Sequence, residues 1–184
     1  MPSGLASQSS GRWGLGALPA SQHPANSIAS RTSGGRAWSL FWGEMTALCE
    51  WHGSFANVEL EALHADGFDH EPTERDWVTQ LHQHSLGWVC ARQQDRLVGF
   101  VNVAWDGGSH AFILDTVVAH DERRRGVGAA LVLEAARQAA LAGCQWLHVD
   151  FEDHLVTFYY EACGFTPTRA GLIALGGTRE QNRP

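Results

Sequence analysis

The segment Val117–Leu131, VVAHDERRRGVGAAL, decides how the chain is read. Before and into it runs HAFILDTVVAH (His110–His120), nearly continuous in apolar residues, as a strand covered on both faces should be. After it, GVGAALVLEAARQAALAG (Gly126–Gly143) puts Leu131, Val132, Ala135, Ala139 and Ala142 on one side of a helix. Glu134, Arg137 and Gln138 fall opposite, and Gly143 sits where a left-handed cap would end it. A helix that starts at this turn offers its first unbonded amides, from about Gly126 to Ala129, at the end of the strand. Those amides and the positive end of the helix dipole make an anion site, glycines let an oxygen approach the backbone, and Arg123, Arg124 and Arg125 add charge-assisted hydrogen bonds. The plainer reading is a solvated arginine cluster beside packing glycines. Strand, helix and positive charge together, in a chain of net charge -7, favour the anion site.

Composition bounds what the rest can be. At 184 residues the chain suits one domain, and 44% hydrophobic residues with eight tryptophans supply enough apolar surface for a core. Asp and Glu number 20 against 13 Lys and Arg, which repels a polyanion and leaves no basic footprint for nucleic acid. No run of eighteen or more apolar residues occurs, so no membrane span is expected. Cys49, Cys90, Cys144 and Cys163 lie far apart with no C-x-x-C pair and read as reduced, mostly buried thiols of a cytoplasmic protein. His82 and His84, spaced i, i+2, would not converge on one helix face, and no metal is expected.

Residues 1–45 are rich in Ser, Gly, Ala and Pro up to about Gly35 and read as a disordered or poorly ordered N-terminal extension; residues 46–184 read as the domain. Within it, VELEALHADGF (Val58–Phe68) predicts a helix carrying Leu60, Leu63 and Phe68. EPTERDWVTQLHQHS predicts a second, with Thr73 and Asp76 in a capping-like pattern before Trp77, Val78 and Leu81. LGWVCARQQDRLVGFVNVAWDGG predicts a hairpin turning at Gln93–Asp95. QWLHVDFE predicts a strand running to Glu152, and the strand, helix, strand succession around Gly126 implies a parallel crossover. LVTFYYEAC predicts a further helix closed by Gly164, and GLIAL (Gly171–Leu175) a last short strand. The expected fold is a single α/β (α+β) domain with a mixed central sheet of about six to seven strands and about four helices.

Two blocks carry a resemblance. Arg123, Arg124, Arg125, Gly126, Val127 and Gly128, with Val118 at the strand position and His120 in place of a frequent proline, resemble the [Q/R]-x-x-G-x-[G/A] acetyl-CoA signature of the GNAT superfamily of N-acetyltransferases. Tyr159, Tyr160, Glu161, Ala162, Cys163, Gly164 and Phe165 resemble its second block, [L/F]-Y-x-x-x-G-F. The likeness spans roughly Thr46 to Leu175. A Walker loop is missing, and the dinucleotide fingerprint lacks its third glycine.

The resemblance implies that the anion is the diphosphate of acetyl-CoA, a co-substrate, bound through Arg123, Arg124, Arg125, Gly126, Val127, Gly128 and Ala129. Val117, Val118 and Tyr160 complete that set. It implies that the strands ending at Val118 and Phe151 splay around the pantetheine arm, and that the Val118 N–H faces the thioester oxygen. An alkylamine acceptor must lose a proton and the departing thiolate must gain one, since their reference pKa values are about 10.4 and about 8.5. Tyr160, by motif register, is the candidate acid. Asp115, a carboxylate interrupting an apolar strand, is the candidate base, ahead of His148, Asp150 and Glu152, and a water relay could replace a direct base. The expected activity is acetyl transfer from acetyl-CoA to a primary amine of a small molecule or peptide, and a homodimer is compatible with it. A non-catalytic acyl-CoA-binding module would keep the loop but lose the proton donors, so Tyr160 and Asp115 favour the enzyme.

Overall fold

The computed structural model describes residues 47–173 and Leu175; the reading of residues 1–45 as a tail lies outside the described residues. Strands β1 (Leu48–Trp51), β2 (Ser85–Gln93), β3 (Arg96–Trp105), β4 (His110–Val118) and β5 (Trp146–His148) form one mixed sheet in the order β1-β2-β3-β4-β5. All neighbours are antiparallel except β4 and β5, which run parallel across the intervening helix. Helices α1 (Asn57–Phe68) and α2 (Trp77–His84) cover one face and α3 (Val127–Leu141) the other; a π-helical segment, α4 (Thr157–Ala162), follows β5.

Alternation along β2 and β3 divides the core between these layers. Phe100 meets Trp77 of α2 edge-on at 6.3 Å between ring centroids, while Gly99, on the opposite face, lies against Val127 and Leu131 of α3. Both faces of β3 are therefore buried from Leu97 to Val103. The expected hairpin forms, its tight turn helped by Gln94 at φ 54. Gly143, at φ 94, follows the last turn of α3 as the sequence implies, although Ala142 is exposed.

Four expectations are corrected. The described sheet has five strands, not six to seven, and Leu172 and Ile173 of GLIAL lie exposed outside any strand. β5 ends at His148 because its pairing with β4 stops at Phe112↔His148; without ladder partners Val149 to Glu152 are not strand. LVTFYYEAC is helical as expected, as the π-helical α4 after a 3-10 turn at Asp153–Leu155, and Gly164 follows it at φ 79. The cap of α2 is Asp76, which accepts from the Thr79 N–H at 3.1 Å. Thr73 turns instead to Glu61, donating from both its N–H and its hydroxyl at 2.7 Å.

Glu61 is the unexpected member of the core. It lies on the buried side of α1 and its other oxygen accepts from the Trp77 indole N–H at 2.7 Å. Burial alone would raise its carboxyl, but the hydrogen bonds from Thr73 and Trp77 outweigh burial and lower it to about 2. The stability Glu61 adds is thus complete above its unfolded value near 4.5 and is lost as pH falls toward about 2. Glu61→Gln is expected to cost about 2–3 kcal/mol at neutral pH, since hydrogen bonds to a charge are weakened and one Glu61 acceptor is exchanged for a donor. Urea titrations at pH 7 and near pH 3 check this, the gap between the two proteins narrowing at the acid end.

Close packing binds α1 to β4 as well. A side chain on Gly67 would collide with Val117, so Gly67→Ala is expected to lower stability by about 1–3 kcal/mol, read from the denaturation midpoint.

Candidate active site

Hydrogen-bond alternation in β4 is set by a bulge. Asn102 pairs with Leu114 but Phe100 with Val117, so Asp115 and Thr116 both stand opposite Val101. Asp115 takes φ 53, a left-handed conformation that Asp tolerates better than most residues. Beyond the bulge, the Ala119 N–H donates to the Val98 carbonyl at 2.9 Å, which makes Ala119 and Val98 a hydrogen-bonded pair. Val118 and Gly99, next in register, are then a non-hydrogen-bonded pair, and the Val118 N–H points away from β3. β5 has already left the ladder at that level, so this amide faces a gap. Val117 belongs to the opposite phase: its amide serves β3 and its side chain is buried toward Gly67 of α1.

The turn after β4 shapes the candidate anion site. Arg124 (φ 60) and Gly126 (φ 87) adopt left-handed conformations, and the first helical bond of α3 runs from the Ala130 N–H to the Gly126 carbonyl at 3.0 Å. The amides of Val127, Gly128 and Ala129 are consequently not consumed by the helix. The three arginines divide their work. Arg123 donates from Nε to the Val118 carbonyl at 3.0 Å and ties the turn to the strand end. Arg125 grips both oxygens of the buried Glu122 at 3.0 Å. Arg124 is exposed and has no intramolecular hydrogen bond or ion pair among the described residues. Of the three arginines it is the one whose guanidinium no other described residue engages.

Helix α4 covers this end of α3. Phe158 lies so near Gly128 that a Cβ there would sit 3.2 Å from its ring, with Val118 at 3.5 Å. The adjacent tyrosines separate: Tyr159 is buried, stacked on Phe151 at 4.5 Å, and burial raises its phenol. Tyr160 is only partly buried, touching Phe151 edge-on at 5.4 Å.

Asp115 has no free oxygen. Oδ1 meets His64 Nε2 at 3.3 Å and Oδ2 accepts from the Asn102 amide at 3.2 Å; that amide's oxygen in turn accepts from the Ser85 hydroxyl at 2.6 Å. Burial would raise the Asp115 carboxyl, yet these hydrogen bonds hold it below the ordinary value. It is a fixed anion rather than a ready proton acceptor. His148 stacks between His110 and Phe112 at the exposed last pair of the β4–β5 ladder, and Asp150 and Glu152 are exposed. Sequence reasoning missed His64, His70 and Asn102, which come from three separate segments; a histidine among the alanines of α1 was the available signal.

The family model for the acetyltransferase (GNAT) family matches residues 46–165, more than half of the chain. The chain belongs to the GNAT acetyltransferase family. It is thus an acyltransferase, and the fold agrees with other GNAT structures. A GNAT-family acetyltransferase of Streptococcus pneumoniae is 20% identical with a TM-score of 0.58, over 71% of this chain and 98% of the other. An acetyltransferase of Trypanosoma brucei is 19% identical with a TM-score of 0.56, over 70% and 99%. AAC(6')-Iy, solved with the bisubstrate analogue CoA-S-monomethyl-acetylneamine, is 17% identical with a TM-score of 0.56, over 72% and 99%. No curated protein sequence matches significantly. Among the described residues no helix is long and apolar enough to cross a membrane, and no cluster of three His, Cys, Asp or Glu side chains could hold a metal ion.

Proposed function

We propose that this GNAT protein transfers an acetyl group from acetyl-CoA to a primary amine of a small molecule or peptide by direct attack on the thioester. The observation that carries the reading is the Val118 N–H facing the gap between β4 and β5, beside the unconsumed amides of Val127, Gly128 and Ala129. A diphosphate suits that cradle, because Gly126 turns the backbone at φ 87 just ahead of the unconsumed amides and the Arg124 guanidinium has no intramolecular partner among the described residues. Bound coenzyme would supply the activated acyl thioester. The chain's own groups would do the rest: Val118 N–H stabilises negative charge on the carbonyl oxygen, and Tyr160 Oη donates a proton to the departing sulfur. Burial of Tyr159 in the aromatic core supports giving the acid's role to Tyr160.

Residues 46–184 form the catalytic domain in this reading. The four cysteines are free thiols, with Cys90 pushed up by burial to about 12 and Cys49 to about 11, which suits a reducing cytoplasm and no role as nucleophiles. Incubation with acetyl-CoA and a panel of amines, following thiol release, tests the proposal. Saturable coenzyme binding with no turnover on any amine would instead identify a non-catalytic acyl-CoA-binding module.

A further inference from the structure

The network behind Asp115 continues to solvent. His64 Nδ1 lies 2.8 Å from Nε2 of His70, and His70 Nδ1 lies 2.8 Å from the Glu71 carbonyl oxygen. Its two ends are acceptors only: the Asp115 carboxylate requires a proton on His64 Nε2, and the Glu71 carbonyl requires one on His70 Nδ1. When both imidazoles are neutral, those two protons leave bare lone pairs facing each other across the contact between the rings. One more proton completes every hydrogen bond in the chain and sets a single positive charge beside the Asp115 anion.

Resting on the acetyl-transfer reading, we propose that the His64–His70 pair is the proton acceptor of the reaction, His70 being its solvent-exposed outlet and Asp115 and His64 its positioning residues. Asp115 stands at the bulge three residues before Val118, and α1, which carries His64, also packs its Gly67 on Val117, so the array lies along the strand end that carries the proposed thioester site. The N–H bond of the attacking ammonium breaks, its electron pair stays on nitrogen, and the proton passes through water to lie between His64 Nδ1 and His70 Nε2. His70, exposed on the segment after α1, returns it to solvent. Phe68 and Trp77 pack against the His64 ring at 4.4 and 4.9 Å and keep it fixed. The charged groups that act on the array are Asp115 from β4, Glu61 from α1, which interacts with His70, and Arg75 from the segment before α2, which interacts with Asp115. Because only the neutral pair accepts a proton, turnover falls on the acid side of the profile.

Nitrogen-15 NMR of histidine-labelled protein, titrated with pH, reads the pair without any acceptor substrate. The expected spectrum shows one added proton shared by His64 Nδ1 and His70 Nε2, absent from His70→Gln. Two neutral rings with bare facing nitrogens throughout the titration, down to the onset of acid unfolding, would overturn the proposal. In kinetics, His70→Gln, an exposed change that leaves the core intact, is expected to lower kcat/KM by about 10²-fold and displace the acidic limb. Added imidazole should restore part of the rate, and calorimetric affinity for acetyl-CoA should stay unchanged. A variant with the parent's pH profile and rate would also overturn it. Failure of the parent protein to bind acetyl-CoA sinks the acetyl-transfer reading instead, and leaves the NMR proton count to stand or fall alone.

Discussion

Gly126→Trp abolishes saturable acetyl-CoA binding in a calorimetric titration carried to millimolar coenzyme, while the protein stays folded. Gly126 sits at φ 87, immediately before the free amides of α3. Holding a non-glycine residue there costs about 1–3 kcal/mol, less than the about 5–15 kcal/mol by which domains of this kind are stable. The fold therefore survives, as a thermal melt will show. The indole, however, projects at the mouth of the cradle, where a diphosphate must approach the backbone within hydrogen-bonding distance. Binding that persisted within threefold of the parent would mean that the anion is held elsewhere.

Tyr160→Phe is the second large effect: kcat falls by about 10²–10⁴-fold, the usual range for a lost general acid, with coenzyme affinity nearly unchanged. Its neighbour provides the control. Tyr159→Phe removes one hydroxyl from a buried ring and keeps its aromatic packing, so it costs less than about 1.5 kcal/mol of stability and leaves turnover close to the parent's. If the two variants exchanged these phenotypes, the motif would be read one residue out of register. Single-turnover kinetics with saturating coenzyme separates the chemical step from binding.

Much of this geometry was legible in the chain because its signals are local. Thirteen residues from Val118 to Ala130 carry a strand end, a turn and a helix start in one unbroken stretch, and the apolar face of α3 follows from its own spacing. The bulge was not legible. Asp115 reads in sequence as a polar interruption, and only pairing with β3 shows that it occupies an extra position opposite Val101. The Asp115 network was equally hidden, since His64, Asn102 and Ser85 converge on it across separations that no periodicity reports. The arginines illustrate a third limit: composition counted them together as anion binders, whereas Arg123 and Arg125 are committed to Val118 and Glu122. Chain ends are harder still. GLIAL has the pattern of a strand, yet the strand needs an edge to join, and the described β5 extends only from Trp146 to His148.

The inserted position in β4 works as a half-period shift. Without it, Val118 would donate its amide to β3, point its side chain toward α1, and leave Val117 looking into the opening. One additional residue rotates the strand's tip by half a pleat, so an inward-facing donor becomes available to a guest. Shortening the strand by that residue would preserve most of its apolar surface, yet silence the tip.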